Sequence, residues 1–166
     1  KNVSVGPYIG ELVEGFNGST SPEDLETMLQ LIYLYFTAPR KDAEVLQSFV
    51  VQQKSILENI LVNPYYYFAN EKNKIKYQNH PRRKALPDIS DLEGLNVDKI
   101  MEIYQDRFAD AGDFTFVFVG NFEPEKMRPL LQQYLGSLPV TKREESWKDV
   151  NADLPTGTIE KTWVRG

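Results

Sequence analysis

The run Phe114-Thr115-Phe116-Val117-Phe118-Val119-Gly120 is apolar at almost every position. A short apolar stretch of this kind predicts a central strand buried on both faces. Such a strand needs a sheet around it, so the rest of the chain must supply further strands and a layer to cover them.

Residues 2–19 supply the next strand signals. Val, Tyr, Ile and Phe alternate there with Gly6-Pro7, Gly10, Gly15 and Gly18, and predict two strands, about Val3–Tyr8 and Glu11–Asn17. The glycines permit bulges or close backbone approach. Asn17-Gly18-Ser19 has the form of a glycosylation sequon and is expected to be an ordinary turn.

Helices follow. Ser21-Pro22-Glu23-Asp24 predicts a start, with Ser21 capping, Pro22 in the first position and Asp24 at the positive end of the dipole. Leu25, Met28, Leu29, Ile32, Tyr33 and Phe36 then share one face, and Pro39 ends the helix. A second helix is expected over about Lys41–Leu61, with an apolar stripe from Val45 to Leu61. A third begins at Asn63-Pro64 and runs to about Gln78. Its consecutive Tyr65, Tyr66 and Tyr67 are expected to pack in a core or interface.

A basic loop, Asn79 to Lys84, precedes a short helical turn over Pro87–Gly94. Asn96 is expected to cap a helix over about Val97–Asp110, ended by Ala111-Gly112. After the apolar run comes a last helix, about Pro124–Leu135, with Gly136 as a left-handed cap. From Val140 to Thr158 the chain turns polar and irregular and reads as a connector to a final strand, Thr158–Val164. The order predicts an α+β layered fold, with residues 1–139 as one domain and 140–166 as a connector leading into the next strand or domain. The start at Lys1 and the strand-like end suggest a segment of a longer protein.

Composition removes many chemistries. The 166 residues hold no cysteine and a single histidine, His80, which excludes disulfides, thiolate zinc sites and cysteine nucleophiles. One histidine cannot supply H-E-x-x-H or its inverse H-x-x-E-H. His80 precedes Pro81 in the basic loop with no nucleophile motif nearby, which argues against a Ser-His-Asp triad. No P-loop or G-x-G-x-x-G is present. The net charge of −5 offers no footprint for nucleic acid, and no apolar run is long enough for a membrane span. No catalytic, cofactor-binding or metal-ligating residue is assigned.

Four stretches carry a family resemblance. They are Tyr8-Ile9-Gly10-Glu11 with Gly15-Phe16-Asn17-Gly18-Ser19; Pro22-Glu23-Asp24-Leu25-Glu26 through Tyr33-Leu34-Tyr35-Phe36-Thr37-Ala38-Pro39-Arg40; Tyr104 through Phe122; and Tyr134-Leu135-Gly136-Ser137-Leu138-Pro139. Together they resemble the pitrilysin/insulinase zinc metallopeptidases, most closely the long bacterial zinc proteases. The resemblance runs from about Val3 to Pro139 and more weakly to Trp163.

It implies a fold of two layers, a mainly antiparallel sheet with helices on one face, in a protein built from duplicated α+β domains. One copy carries H-x-x-E-H and zinc; the others are degenerate and close a chamber around the peptide substrate. Active copies also carry E-R-x-x-V-x-x-E, whose last Glu is the third zinc ligand. The best match here is Gln47-Ser48-Phe49-Val50-Val51-Gln52-Gln53-Lys54, which puts Lys54 at the ligand position and Gln47 at the first Glu. A protonated ammonium cannot ligate zinc.

The resemblance therefore implies a non-catalytic domain of a larger zinc metalloprotease, with zinc in the catalytic half of the parent and none in this chain. Its partners would be that catalytic domain and the peptide substrate, the latter adding as a strand along an edge near Tyr8–Phe16. The family's substrate-contacting Arg and Tyr are not assigned to Arg107 or Tyr104. A periplasmic or other extracytoplasmic location in a bacterium is also implied. The rival readings are a processing-peptidase-like subunit acting in trans, a carboxylate-based hydrolase and a protein-interaction module.

Overall fold

The computed structural model describes residues 2–164. Its fold is α+β: among the described residues it has six α-helices and a two-stranded antiparallel sheet. The chain forms two compact units, Lys1–Lys41 with Asp98–Glu145, and Asp42–Val97 with Ser146–Gly166.

The first unit opens with strands β1 (Val3–Ile9) and β2 (Glu14–Thr20), paired from Val3 opposite Thr20 to Ile9 opposite Glu14. A tight connection closes the hairpin, where the Gly10 amide donates to the Val13 carbonyl at 2.7 Å. β2 thus starts three residues later than the alternation predicts. Asn17-Gly18-Ser19 is no turn but lies within β2, opposite Gly6, Val5 and Ser4.

A single 3-10 turn, Pro22–Asp24, leads into helix α1 (Leu25–Thr37). Ser21 does not cap it: its hydroxyl points at the Asp24 carboxylate, which also accepts the Asn2 amide at 3.1 Å. The acidic residue therefore fastens the start of β1 to the start of α1. Helix α1 ends at Thr37, ahead of Pro39, as the restriction on the residue before proline requires.

The apolar face of α1 is the floor of the core. Met28, Leu29, Ile32 and Phe36 are buried on it, joined by Phe108, Ala111 and Leu138. Phe108 comes just after helix α5 (Val97–Arg107), and Leu138 follows the last helix, Pro124–Tyr134. That helix contacts α1, and the Tyr134 hydroxyl donates to Glu26 at 2.8 Å while accepting from Gln30 at 3.0 Å. Gly136 is not left-handed, since the positive-φ glycines are Gly120 and Gly157. Its role is space: a Cβ there would sit 2.7 Å from the Gln132 carbonyl oxygen.

The run 114–120 forms no ladder and is not the fully covered central strand its composition predicts. It is nevertheless strand-like in its alternation. Phe114, Phe116 and Phe118 pack on the core, while Val117 and Val119 are 77% and 94% exposed.

The second unit holds helices α2 (Ala43–Val62), α3 (Pro64–Lys76) and α4 (Ile89–Glu93). Asp42 caps α2 by accepting the Val45 amide, and Asn63 caps α3 by accepting the Tyr65 amide. Of the predicted α2 stripe only Leu57 is buried; Val45, Phe49 and Ile56 are exposed. Tyr65 and Tyr66 are 72% and 50% exposed, so these two do not pack in this unit's core but meet each other edge to face. Residues 158–164 form no strand; the Trp163 ring instead meets Phe68 of α3 at 5.6 Å. A strand exists only where a partner ladder does, and this segment has none.

Leu29 is fully buried. Leu29→Ala is expected to lower stability by about 2–5 kcal/mol, the usual range for emptying such a site. Urea denaturation should show a reduced midpoint with an unchanged slope.

Candidate functional site

The zinc-ligand pattern that the resemblance aligns falls on α2, with Gln47 and Lys54 two turns apart. The Lys54 ammonium lies 2.5 Å from Glu93 of α4, and the hydrogen bond to Glu93 raises its pKa above the ordinary lysine value. A cation held in this way stays protonated and offers no lone pair. Among the described residues no three His, Cys, Asp or Glu side chains come together as a metal would need. The Lys54 ammonium at the aligned position is therefore not a zinc donor.

His80 is equally engaged. Its Nδ1 accepts the Arg82 amide at 3.2 Å, and its Nε2 lies 2.8 Å from the Val150 carbonyl oxygen. Beside it is a cavity of about 240 Å3 lined by Asn70, Tyr77, Arg83, Lys84 and Asp88 among others. Lys84 is held there by Asp88 at 2.8 Å and Asp91 at 2.5 Å, and Arg83 stacks over the Tyr77 ring at 5.7 Å. Its basic groups are thus committed to carboxylates and a ring within the same unit.

In the first unit, Tyr104 and Arg107 also act internally. The Tyr104 hydroxyl donates to the Tyr35 carbonyl at 2.9 Å, and burial pushes its pKa up to about 12. It remains a neutral donor at any physiological pH. The Arg107 guanidinium binds Asp106 at 2.8 Å and lies 3.4 Å from Glu145 and 3.8 Å from Glu14. Arg143 binds the other side of Asp106 at 3.1 Å and also pairs with Glu145.

The most constrained acid in the unit is Asp110, which sequence reasoning assigned only to a helix end. It is 1% exposed and accepts the Arg143 amide and the Thr141 hydroxyl at 2.8 Å each, and the Gly112 amide at 2.9 Å. The Ala111 amide donates to the Pro139 carbonyl beside it. Together these bonds clamp residues 139–143 onto the corner at 110–113. The Arg143 amide is the largest cause that lowers the Asp110 pKa to about 2. Gly112 is required by close approach, since a Cβ there would lie 2.9 Å from the Asp110 carboxylate oxygen. The sequence signal was Asp-x-Gly, an Asx-turn pattern.

The other feature of this unit is a cleft of about 390 Å3 between the hairpin and residues 113–118. Val5, Tyr8, Phe16, Phe116 and Phe118 line it, and Met28 and Ile32 of α1 form part of its wall. Its lining mixes these apolar side chains with Thr115 and the carboxylates of Glu14, Asp113 and Glu145.

Against known proteins, residues 94–162 match the family described as Peptidase M16 inactive domain. That stretch is similar to this family of inactive peptidase domains, and two homologues of the chain are named as zinc proteases. It is 35% identical over 151 residues to the zinc protease PQQL-like of Arabidopsis thaliana, which covers 86% of this chain and 15% of that protein. It is 24% identical over 136 residues to the probable zinc protease PqqL of Haemophilus influenzae, covering 81% and 14%. The chain thus spans only about a seventh of the length of these relatives. No solved structure matches it. Among the described residues no helix is long and apolar enough to cross a membrane.

The depressed pKa of Asp110 ties stability to pH. The carboxylate is favoured in the folded state over an ordinary value of 3.8, so its contribution is present above about pH 4 and is lost as pH falls through about 2. Asp110→Asn is expected to destabilise the chain at pH 7. The gap to the unsubstituted chain should narrow steadily between pH 4 and pH 2, as read by denaturant midpoints.

Proposed function

We propose that this chain is a non-catalytic, peptidase-like domain of a larger zinc metalloprotease, where it packs against the catalytic half and helps to enclose the substrate. The match of residues 94–162 to the M16 inactive domain carries this reading. Two observations support it: relatives several times longer are named zinc proteases, and Lys54, which the resemblance aligns with the third zinc ligand, is paired with Glu93. Zinc belongs to the catalytic half of the parent.

In this reading the hairpin and the 114–119 segment are parts of a larger, mainly antiparallel sheet with α1 and its neighbours on one face. Residues 1–139 form the peptidase-like part, and 140–166 lead onward; no helix or strand follows Tyr134 among the described residues. The hairpin near Tyr8–Phe16 offers an edge to which an extended peptide adds as a strand. The domain's work is shape and contact, and the proton chemistry lies elsewhere in the parent.

Zinc content and peptidase activity of this chain, measured beside the parent polypeptide, test the reading. The chain is expected to be zinc-free and inert, while the parent binds zinc and cleaves peptides. Stoichiometric zinc or peptide cleavage in the chain alone would overturn it.

A further inference from the structure

Helix α3 ends in a patch of unpaired hydrogen-bonding groups. Asn70, Asn73 and Tyr77 recur at i, i+3 and i+7, so they share one face of its last turns and cap. Beyond Tyr77 the chain reverses through Gln78 and Asn79, both in the left-handed region with φ of 51° and 56°. Asparagine tolerates that region, but two such residues in succession are held only by their surroundings. The Asn79 amide fixes the reversal by donating to the Lys74 carbonyl at 2.8 Å. Residues 79–88 then return against the helix and enclose the cavity of about 240 Å3.

Asn70 is 7% exposed and forms part of the cavity wall. Among the described residues its side-chain amide makes no hydrogen bond within the chain. The same holds for the side-chain amides of Asn73 and Asn79 and for the Tyr77 hydroxyl, which also line the cavity. A buried polar side chain without a partner is destabilising, and native chains rarely keep one. Four unpaired groups around one enclosed space point to a molecule that enters it.

The charges select among ligands. Three cations line the cavity, Lys74, Arg83 and Lys84, and three carboxylates answer them, Glu71, Asp88 and Asp91. An anion would meet Asp88 and an ammonium would meet Lys84. The unpaired asparagines each present a donor and an acceptor. Their complement is an uncharged group with both functions side by side. We infer that this cavity takes a primary carboxamide, the end group of glutamine or asparagine, either free or as a side chain of another polypeptide. Neither Lys54 nor the family match enters this assignment, so it stands or falls apart from the peptidase reading.

Titration of the 166-residue chain, followed by NMR of the asparagine side-chain NH2 groups, tests this. The probes are free glutamine and the tripeptide Gly-Gln-Gly, set against glutamate, Gly-Glu-Gly and inorganic phosphate. At least one of the two amide probes is expected to shift the Asn70, Asn73 and Asn79 signals saturably, with a dissociation constant of roughly 1–10 mM for a ligand of this size. Whichever amide probe binds identifies the source, and the three charged probes are expected to leave the signals in place. Asn70→Leu should abolish the binding while keeping or raising the urea midpoint, because it removes a buried group that lacks a partner in the chain. Should that variant fail to fold, Asn73→Ala carries the test, with binding weakened by roughly 2–10-fold. Shifts that never saturate mean that water alone fills the cavity and overturn the inference. Equal binding of glutamate or phosphate overturns it too, as does full affinity in the folded variants.

Discussion

The Phe108 ring is the point on which the first unit turns. It is 2% exposed and touches rings from three other segments: Phe16 of β2 at 4.8 Å, Phe36 of α1 at 5.9 Å and Phe114 at 5.6 Å. Tyr104 stacks on it at 4.6 Å from one turn earlier. Each such pair contributes about 0.5–1.5 kcal/mol beyond the area it buries. A two-stranded hairpin is marginal by itself, so this cluster, more than the ladder, holds β2 in place. The same cluster orders the side chains of the 114–119 segment before any strand pairs with it.

Polar groups follow a second rule: the side chains with the chemistry to act on a ligand are bonded to neighbours within their own unit. Lys54 is spent on Glu93, His80 on the Arg82 amide and the Val150 carbonyl, and Tyr104 on a main-chain oxygen. Asp110, whose pKa is held down to about 2, has its lone pairs committed to residues 112, 141 and 143. An acid so thoroughly hydrogen-bonded is a poor proton acceptor. Its value is geometric, because it sets how the chain runs from the corner at 110 to the connector after Pro139.

Much of the helical architecture was legible from local chemistry. Pro22, Pro39, Asn63-Pro64 and the 3.6-residue spacing of Leu25 to Phe36 place helix limits within a few residues, because these signals act on the backbone beside them. The absent zinc motif was legible too, since one histidine and no cysteine are facts of composition. The caps were less so. Ser21 had the right residue type, but Asp24 was claimed by the Asn2 amide and the helix began later. Gly136 had the right position, but the helix end stayed right-handed and the glycine answers to space instead.

The segments misjudged most were the two that need distant partners. Phe114–Gly120 and Thr158–Val164 have strand composition, yet neither has a ladder among the described residues. The sequence by itself determined which residues are helical, which face of α1 is buried, that the chain cannot assemble a histidine zinc site, and the family it resembles. Tertiary structure alone decided that Asp110 clamps the connector, that Tyr65 and Tyr66 lie open in their unit, and that the apolar run is ordered by its phenylalanines while its backbone stays unpaired. The physical reason is range: a helix closes its hydrogen bonds within four residues of itself, whereas a strand or a buried carboxylate is completed only by groups that the fold brings from elsewhere.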